Sequence, residues 1–231
     1  MSATGKQSGD TVLKIPKGIK PYYQTDLGFL VHGDCLQIMP MLEPVDLVLT
    51  DPPYGLKENA HRVASRTKLA KTIDYGDFDW DKEPADKEKI DMTVGRAKNS
   101  IIWGGNYFHL PPSRGWLVWD KLNSGNFADA ELAWTNLKMS VRLFKYMWNG
   151  MIREERHYKR THPAQKPIAL MIWCLEFCQG SVLDPFMGSG TTAVACERLN
   201  RRWIGIEIEE KYCEIAAKRI EKERGQLKLF T

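Results

Sequence analysis

Asp51, Pro52, Pro53 and Tyr54 bring a carboxylate, two stiff rings and an aromatic side chain together directly after an apolar run beginning at Val45. Two consecutive prolines fix φ and remove two backbone donors, which leaves carbonyl oxygens free to accept hydrogen bonds. A carboxylate beside such a carbonyl can accept both hydrogens of an amino group, and a tyrosine ring can stack on a flat partner. These are the requirements of a site that alkylates the exocyclic amine of a nucleobase. The same four residues also read as an ordinary turn, so a second set of residues has to choose between the two.

That second set runs from Val182 through Asp184, Pro185, Phe186, Met187, Gly188, Ser189 and Gly190 to Thr191 and Thr192. It reads as a strand, a glycine loop and a helix start. Gly188 and Gly190 allow a sharp turn and a close approach of backbone to ligand. The loop is neither G-x-G-x-x-G nor a P-loop, because no lysine follows the second glycine. A ligand without a pyrophosphate needs no phosphate cradle. Thr191, at a helix N-terminus, is placed to meet a ligand carboxylate. Seventeen residues after Gly190 the next strand ends in Glu207, the acid expected to hold ribose hydroxyls. The bland alternative is a glycine cap and a surface glutamate.

Strands and helices must deliver these residues. Short β-branched runs at Gly28–His32, Val45–Thr50, Ser100–Trp103, Gly115–Trp119, Ser181–Leu183 and Arg202–Ile206 predict buried strands. Glu131–Thr135 and Val141–Trp148 predict edge or hairpin strands. Helical patterns cover Leu36–Leu42, Ile168–Cys178, Thr191–Leu199 and Lys211–Arg224, the second with a proline at its first turn. Strands alternate with helices at both ends of the chain, which predicts a parallel-dominated α/β sheet. In such sheets ligands bind outside the carboxyl ends of the strands, where Asp51 and Asp184 would lie.

Composition sets outer bounds. The 231 residues suffice for one substantial core, and 43% hydrophobic with 27% charged residues is ordinary for a globular chain. A net charge of +4 permits an acidic partner without demanding one. The five cysteines form no C-x-x-C pair and no metal-ligand spacing, so no metal is expected and a reducing cytoplasm is. No stretch approaches membrane-spanning length. Residues 1–20 read as a flexible lead-in, 21–224 as one domain and 225–231 as a tail. Within the domain, 56–91 and 120–161 are candidate DNA-contacting insertions. The first carries Arg62, Arg66, Lys68 and Lys71 ahead of an acidic stretch, and the second carries Arg153 and Arg156. Basic loops near a strand-end site read as grips on phosphates or as solvated surface.

Asp51–Tyr54 together with Asp184–Gly190 resembles the S-adenosylmethionine-dependent DNA amino-methyltransferases. The catalytic motif precedes the cofactor motif, which is similar to the β group of these permuted enzymes. His162-Pro163-Ala164-Gln165-Lys166-Pro167 and Gly33-Asp34-Cys35 extend the resemblance over roughly residues 28–222. It implies a class I methyltransferase fold: a doubly wound, seven-stranded, mostly parallel sheet with one antiparallel strand. It also implies S-adenosylmethionine as cofactor and double-stranded DNA as substrate, with the target base flipped out before transfer. Phe186, Gly188 and Gly190 would line the cofactor, with Asp184 opening the loop. Glu207 would hold the ribose, Asp34 and the Cys35 backbone would read the adenine edge, and Lys166 with Thr191 would meet the methionine carboxylate. His162 reads equally as a helix-start residue and as a contact.

In this resemblance an aspartate at the first catalytic position is commoner among adenine-N6 enzymes, and serine among cytosine-N4 enzymes. Adenine is the expected target and cytosine the alternative. An RNA or protein amide methyltransferase is disfavoured by motif order. A non-catalytic DNA-binding accessory would be expected to have lost Asp51, Tyr54 or the glycines. A short recognition region suggests a homodimer, and a restriction–modification setting fits the family. The ending Gln226-Leu227-Lys228-Leu229-Phe230 resembles a sliding-clamp docking peptide, or else folds back on its own core.

Overall fold

A computed structural model describes residues 13–55, 83–122, 128–149, 152–153 and 165–227, with backbone alone for 149, 152 and 153. The strands are β1 (Tyr23–Gln24), β2 (Gly28–His32), β3 (Val45–Thr50), β4 (Ala97–Trp103), β5 (Gly115–Asp120), β6 (Ala130–Thr135), β7 (Arg142–Lys145), β8 (Trp148–Asn149), β9 (Ile152–Arg153), β10 (Val182–Asp184) and β11 (Trp203–Glu207). The helices are α1 (Cys35–Ile38), α2 (Lys87–Gly95), α3 (Ile168–Leu175), α4 (Thr191–Arg198) and α5 (Glu210–Leu227).

Among the described residues, nine strands form one sheet in the order β1-β2-β11-β10-β3-β4-β6-β5-β7. Among the central seven, β2 to β5 in that order, every strand runs the same way except β6, which is antiparallel to both neighbours. Short β1 and β7 extend the edges beyond the seven strands that the resemblance implies. The sheet has a core on each face, because successive side chains point to opposite sides. Leu47, Leu49, Val182 and Trp203 pack with α3, α4 and α5. Val48, Leu183, Ile204 and Ile206 pack with α1 and its neighbours on the other face. This is a doubly wound sheet, as the alternation of strands and helices predicts.

Three expectations change. Glu131–Thr135 is no edge strand: it pairs with β5 as the hairpin reading expects, but also with β4, so Ala133, Trp134 and Thr135 are buried inside the sheet. Residues 87–91 and 130–135, inside the candidate DNA-contacting stretches, are built into the scaffold as α2 and β6. Asp86 caps α2 through the Lys89 N–H at 2.9 Å, and Ile90 is buried beneath it. Helix α5 continues through Leu227, so the tail expected from 225 begins as helix. Arg62, Arg66, Lys68, Lys71, Arg156, His162 and the Lys228–Phe230 part of the clamp-like ending lie outside the described residues, and Arg153 is described by its backbone only.

Candidate active site

The carboxyl ends of β2, β11, β10, β3 and β4 lie along one edge of the sheet, because these strands are parallel. Asp34, Glu207, Asp184, Asp51 and Gly104 therefore line that edge from residues far apart in sequence. Antiparallel β6 begins where its neighbours end, which adds Glu131 to the same edge through its pairing with Trp119.

The tetrapeptide is fixed from several sides. The Pro53 carbonyl accepts the Ala85 N–H at 2.9 Å, while among the described residues no donor reaches the Pro52 carbonyl. The Tyr54 ring lies against Gly104, stacks on Tyr107 at 5.0 Å and 22°, and meets Phe108 edge-on at 6.3 Å. Its hydroxyl donates to Asp51 Oδ1. The other oxygen, Oδ2, accepts Lys166 Nζ at 2.5 Å. Lys166 also lies 3.3 Å from the Tyr54 hydroxyl and 3.0 Å from Glu131 Oε2, and Lys121 pairs with Glu131 Oε1. Burial raises the Asp51 carboxyl above its ordinary range despite Lys166. For Glu131 burial acts upward too, but the two ammonium groups outweigh it and bring the carboxyl down to about 2. Between two anions, Lys166 holds its proton more tightly than usual although burial opposes this.

The glycine loop follows β10. Asp184 is buried, accepts the Thr50 hydroxyl at 2.6 Å and the Phe186 N–H at 3.2 Å, and is pushed up to about 6 by burial. Gly190 has φ +81°, and a Cβ there would stand 2.8 Å from Ala216 Cβ. Helix packing, not ligand approach alone, thus requires this glycine. Arg219 on α5 clasps the loop, donating to Ser189 Oγ at 2.7 Å and Thr191 Oγ1 at 3.2 Å. Glu207 takes the Gly188 N–H at 2.6 Å and the Glu209 N–H at 2.9 Å, and burial raises it to about 7. Next to it, the Gly33 N–H donates to the Glu207 carbonyl, and Asp34 caps α1 through the Leu36 N–H at 2.9 Å.

Sequence reasoning singled out Asp34, Cys35, Asp51–Tyr54, Asp184–Thr191 and Glu207, and the structure brings them along one edge. For Lys166 that reasoning expected a methionine carboxylate shared with Thr191. Its ammonium lies on the Asp51 and Glu131 carboxylates, as a buried cation must be paired, and the Thr191 hydroxyl accepts from Arg219. Thr50, Tyr107, Glu131, Lys121 and Arg219 were not foreseen. Of these only Thr50 carried a signal, being the last residue of the strand that ends in Asp51.

This topology and edge define a class I S-adenosylmethionine-dependent methyltransferase fold. The cytosine-N4-specific PvuII DNA methyltransferase superposes with a TM-score of 0.58 at 19% identity, covering 90% of this chain and 94% of that one. The M1.HpyAVI–SAM complex gives 0.52 at 22% identity, covering 83% and 98%. In sequence, the DNA methylase family matches residues 113–218. The type II methyltransferase M2.LlaDCHI of Lactococcus lactis subsp. cremoris is 28% identical over 253 residues, or 88% of this chain and 93% of that protein. In sequence and fold the chain is similar to the DNA amino-methyltransferases of the N6/N4 family.

Proposed function

We propose that this protein transfers the methyl group of S-adenosylmethionine to the N6 amine of adenine in double-stranded DNA, after the base is flipped from the helix. The observation that carries this reading is the Asp51 carboxylate at the end of β3, next in the chain to a Pro52 carbonyl that no donor among the described residues reaches, one strand from the glycine loop. An exocyclic amine is a poor nucleophile because its lone pair is delocalised into the ring. Two acceptors that hold both amine hydrogens favour a pyramidal nitrogen with a directed lone pair. Tyr54 stacks on the extruded base, and the amine proton leaves to Asp51 or solvent once the nitrogen is alkylated. Positioning and electrostatics supply most of the effect.

The residues present fit the cofactor. Glu207 is a buried carboxylate already accepting two N–H groups, one of them from the glycine loop, which suits it to ribose hydroxyls. Phe186, Gly188 and Gly190 line that side, and Asp34 with the Cys35 backbone serves the adenine edge. When bound, the cofactor supplies an electrophilic methyl group. The aspartate at position 51 supports adenine, whereas a cytosine-N4 target is the second reading, since a cytosine-N4 enzyme shares the fold. Arg62, Arg66, Lys68, Lys71, Arg153 and Arg156 are proposed phosphate contacts. A homodimer, and a sliding clamp engaged through Gln226–Phe230, are the proposed partners. Sequencing DNA from cells expressing the protein, with detection of modified bases, tests the reading: N6-methyladenine is expected, N4-methylcytosine selects the alternative, and unmodified DNA overturns both.

A further inference from the structure

We propose that Glu131 is a positioning residue for the amine clamp: it shares the Lys166 ammonium with Asp51, so that the Asp51 carboxylate is aimed into the site without being saturated. This rests on the role proposed for Asp51 above.

Four charged groups of alternating sign cross the sheet edge in a line: Lys121 after β5, Glu131 on β6, Lys166 before α3 and Asp51 after β3. Lys166 is only 7% exposed, whereas Asp51 is 20% and Glu131 23% exposed. An ammonium group has three hydrogens. Among the described residues it donates to Asp51 Oδ2 at 2.5 Å and to the Tyr54 hydroxyl at 3.3 Å, and it forms an ion pair with Glu131 Oε2 at 3.0 Å. A buried cation must be paired, so with Glu131 neutral its attraction would fall on Asp51 alone. That would draw electron density from the oxygen needed to hold an amine hydrogen. Lys121 fixes Glu131 from behind and is itself placed 5.2 Å from the Trp119 ring centroid. The groups facing Asp51 are Tyr54 on its own segment, Lys166, Glu131, and Asp184 on the neighbouring strand. Among them Glu131 and Asp184 oppose its ionisation, and Lys166 and the Tyr54 hydroxyl favour it.

The test is Glu131→Gln, which keeps shape and removes charge. In the intact protein, the Asp51 carboxyl resonance, assigned by its loss in Asp51→Asn, is followed against pH by carbon NMR. Its midpoint is expected to move to lower pH in Glu131→Gln, because a like charge is lost and Lys166 turns fully to Asp51. An unchanged or raised midpoint overturns the proposal. Kinetically, kcat is expected to fall about ten-fold or more with KM for DNA and cofactor within about two-fold, and Glu131→Asp to recover part of the loss. A kcat within about two-fold of the parent also overturns it. Should Glu131→Gln not fold, Glu131→Asp is read by the same titration, with a smaller displacement in the same direction expected and none overturning the proposal. Because the titration needs no turnover, absence of methyl transfer by the parent protein defeats the proposed function separately from this inference.

Discussion

The Thr50 hydroxyl and the Asp184 carboxylate are joined by a buried hydrogen bond of 2.6 Å between neighbouring parallel strands. Thr50 immediately precedes the tetrapeptide and Asp184 opens the glycine loop, so this bond ties the two motifs together. Thr50→Val keeps the shape and removes the donor. It should cost about 1–2 kcal/mol in denaturant unfolding, because Asp184 loses a buried partner. Asp184 should then titrate still higher, since the threonine hydroxyl opposes the effect of burial.

Asp51→Ala should lower methyl transfer by about a thousand-fold or more, through loss of an acceptor and of amine alignment. Cofactor affinity, measured by calorimetry, should stay within about three-fold, because the glycine loop and Glu207 are untouched. Turnover near that of the parent protein would remove Asp51 from the chemistry.

Gly104 has φ +66°, and a Cβ there would come 2.0 Å from Tyr54 Cε1. Gly104→Ala must displace the Tyr54 ring and strain the turn as well. Stability should fall by about 1–2 kcal/mol. Turnover should fall about ten-fold with cofactor binding retained, since the loop after β10 is not involved. Loss of cofactor affinity equal to the loss of turnover would contradict this account.

Glu207 is raised to about 7 in the folded protein from an ordinary 4.5. Such a group favours folding most when protonated. Its stabilising contribution is complete below about pH 4.5 and is lost as pH rises through about 7. Ribose hydroxyls would donate to the ionised form, so cofactor binding should release protons and tighten as pH rises from about 6 to 8. Calorimetry in two buffers of different ionisation enthalpy measures that release. A Kd independent of pH over this range would count against a Glu207–ribose contact.

How far the sequence reached depends on the reach of each interaction. Asp51, Asp184 and Glu207 each follow a short apolar strand directly, and the motif around each is local, so their place at strand ends was legible without coordinates. The doubly wound sheet was legible for the same reason, because alternating strands and helices leave few other ways to bury both faces. Ala130–Thr135 carries no motif, and its insertion between β4 and β5 depends on pairing with strands about thirty and fifteen residues away. Only the tertiary structure decides that this reversed strand delivers Glu131 to Lys166, and that Lys166 lies between Glu131 and Asp51. A local pattern fixes which face of a strand a residue occupies. Which buried charge it meets depends on the packing of distant segments, where the partner nearest in space sets both the geometry and the protonation of the site.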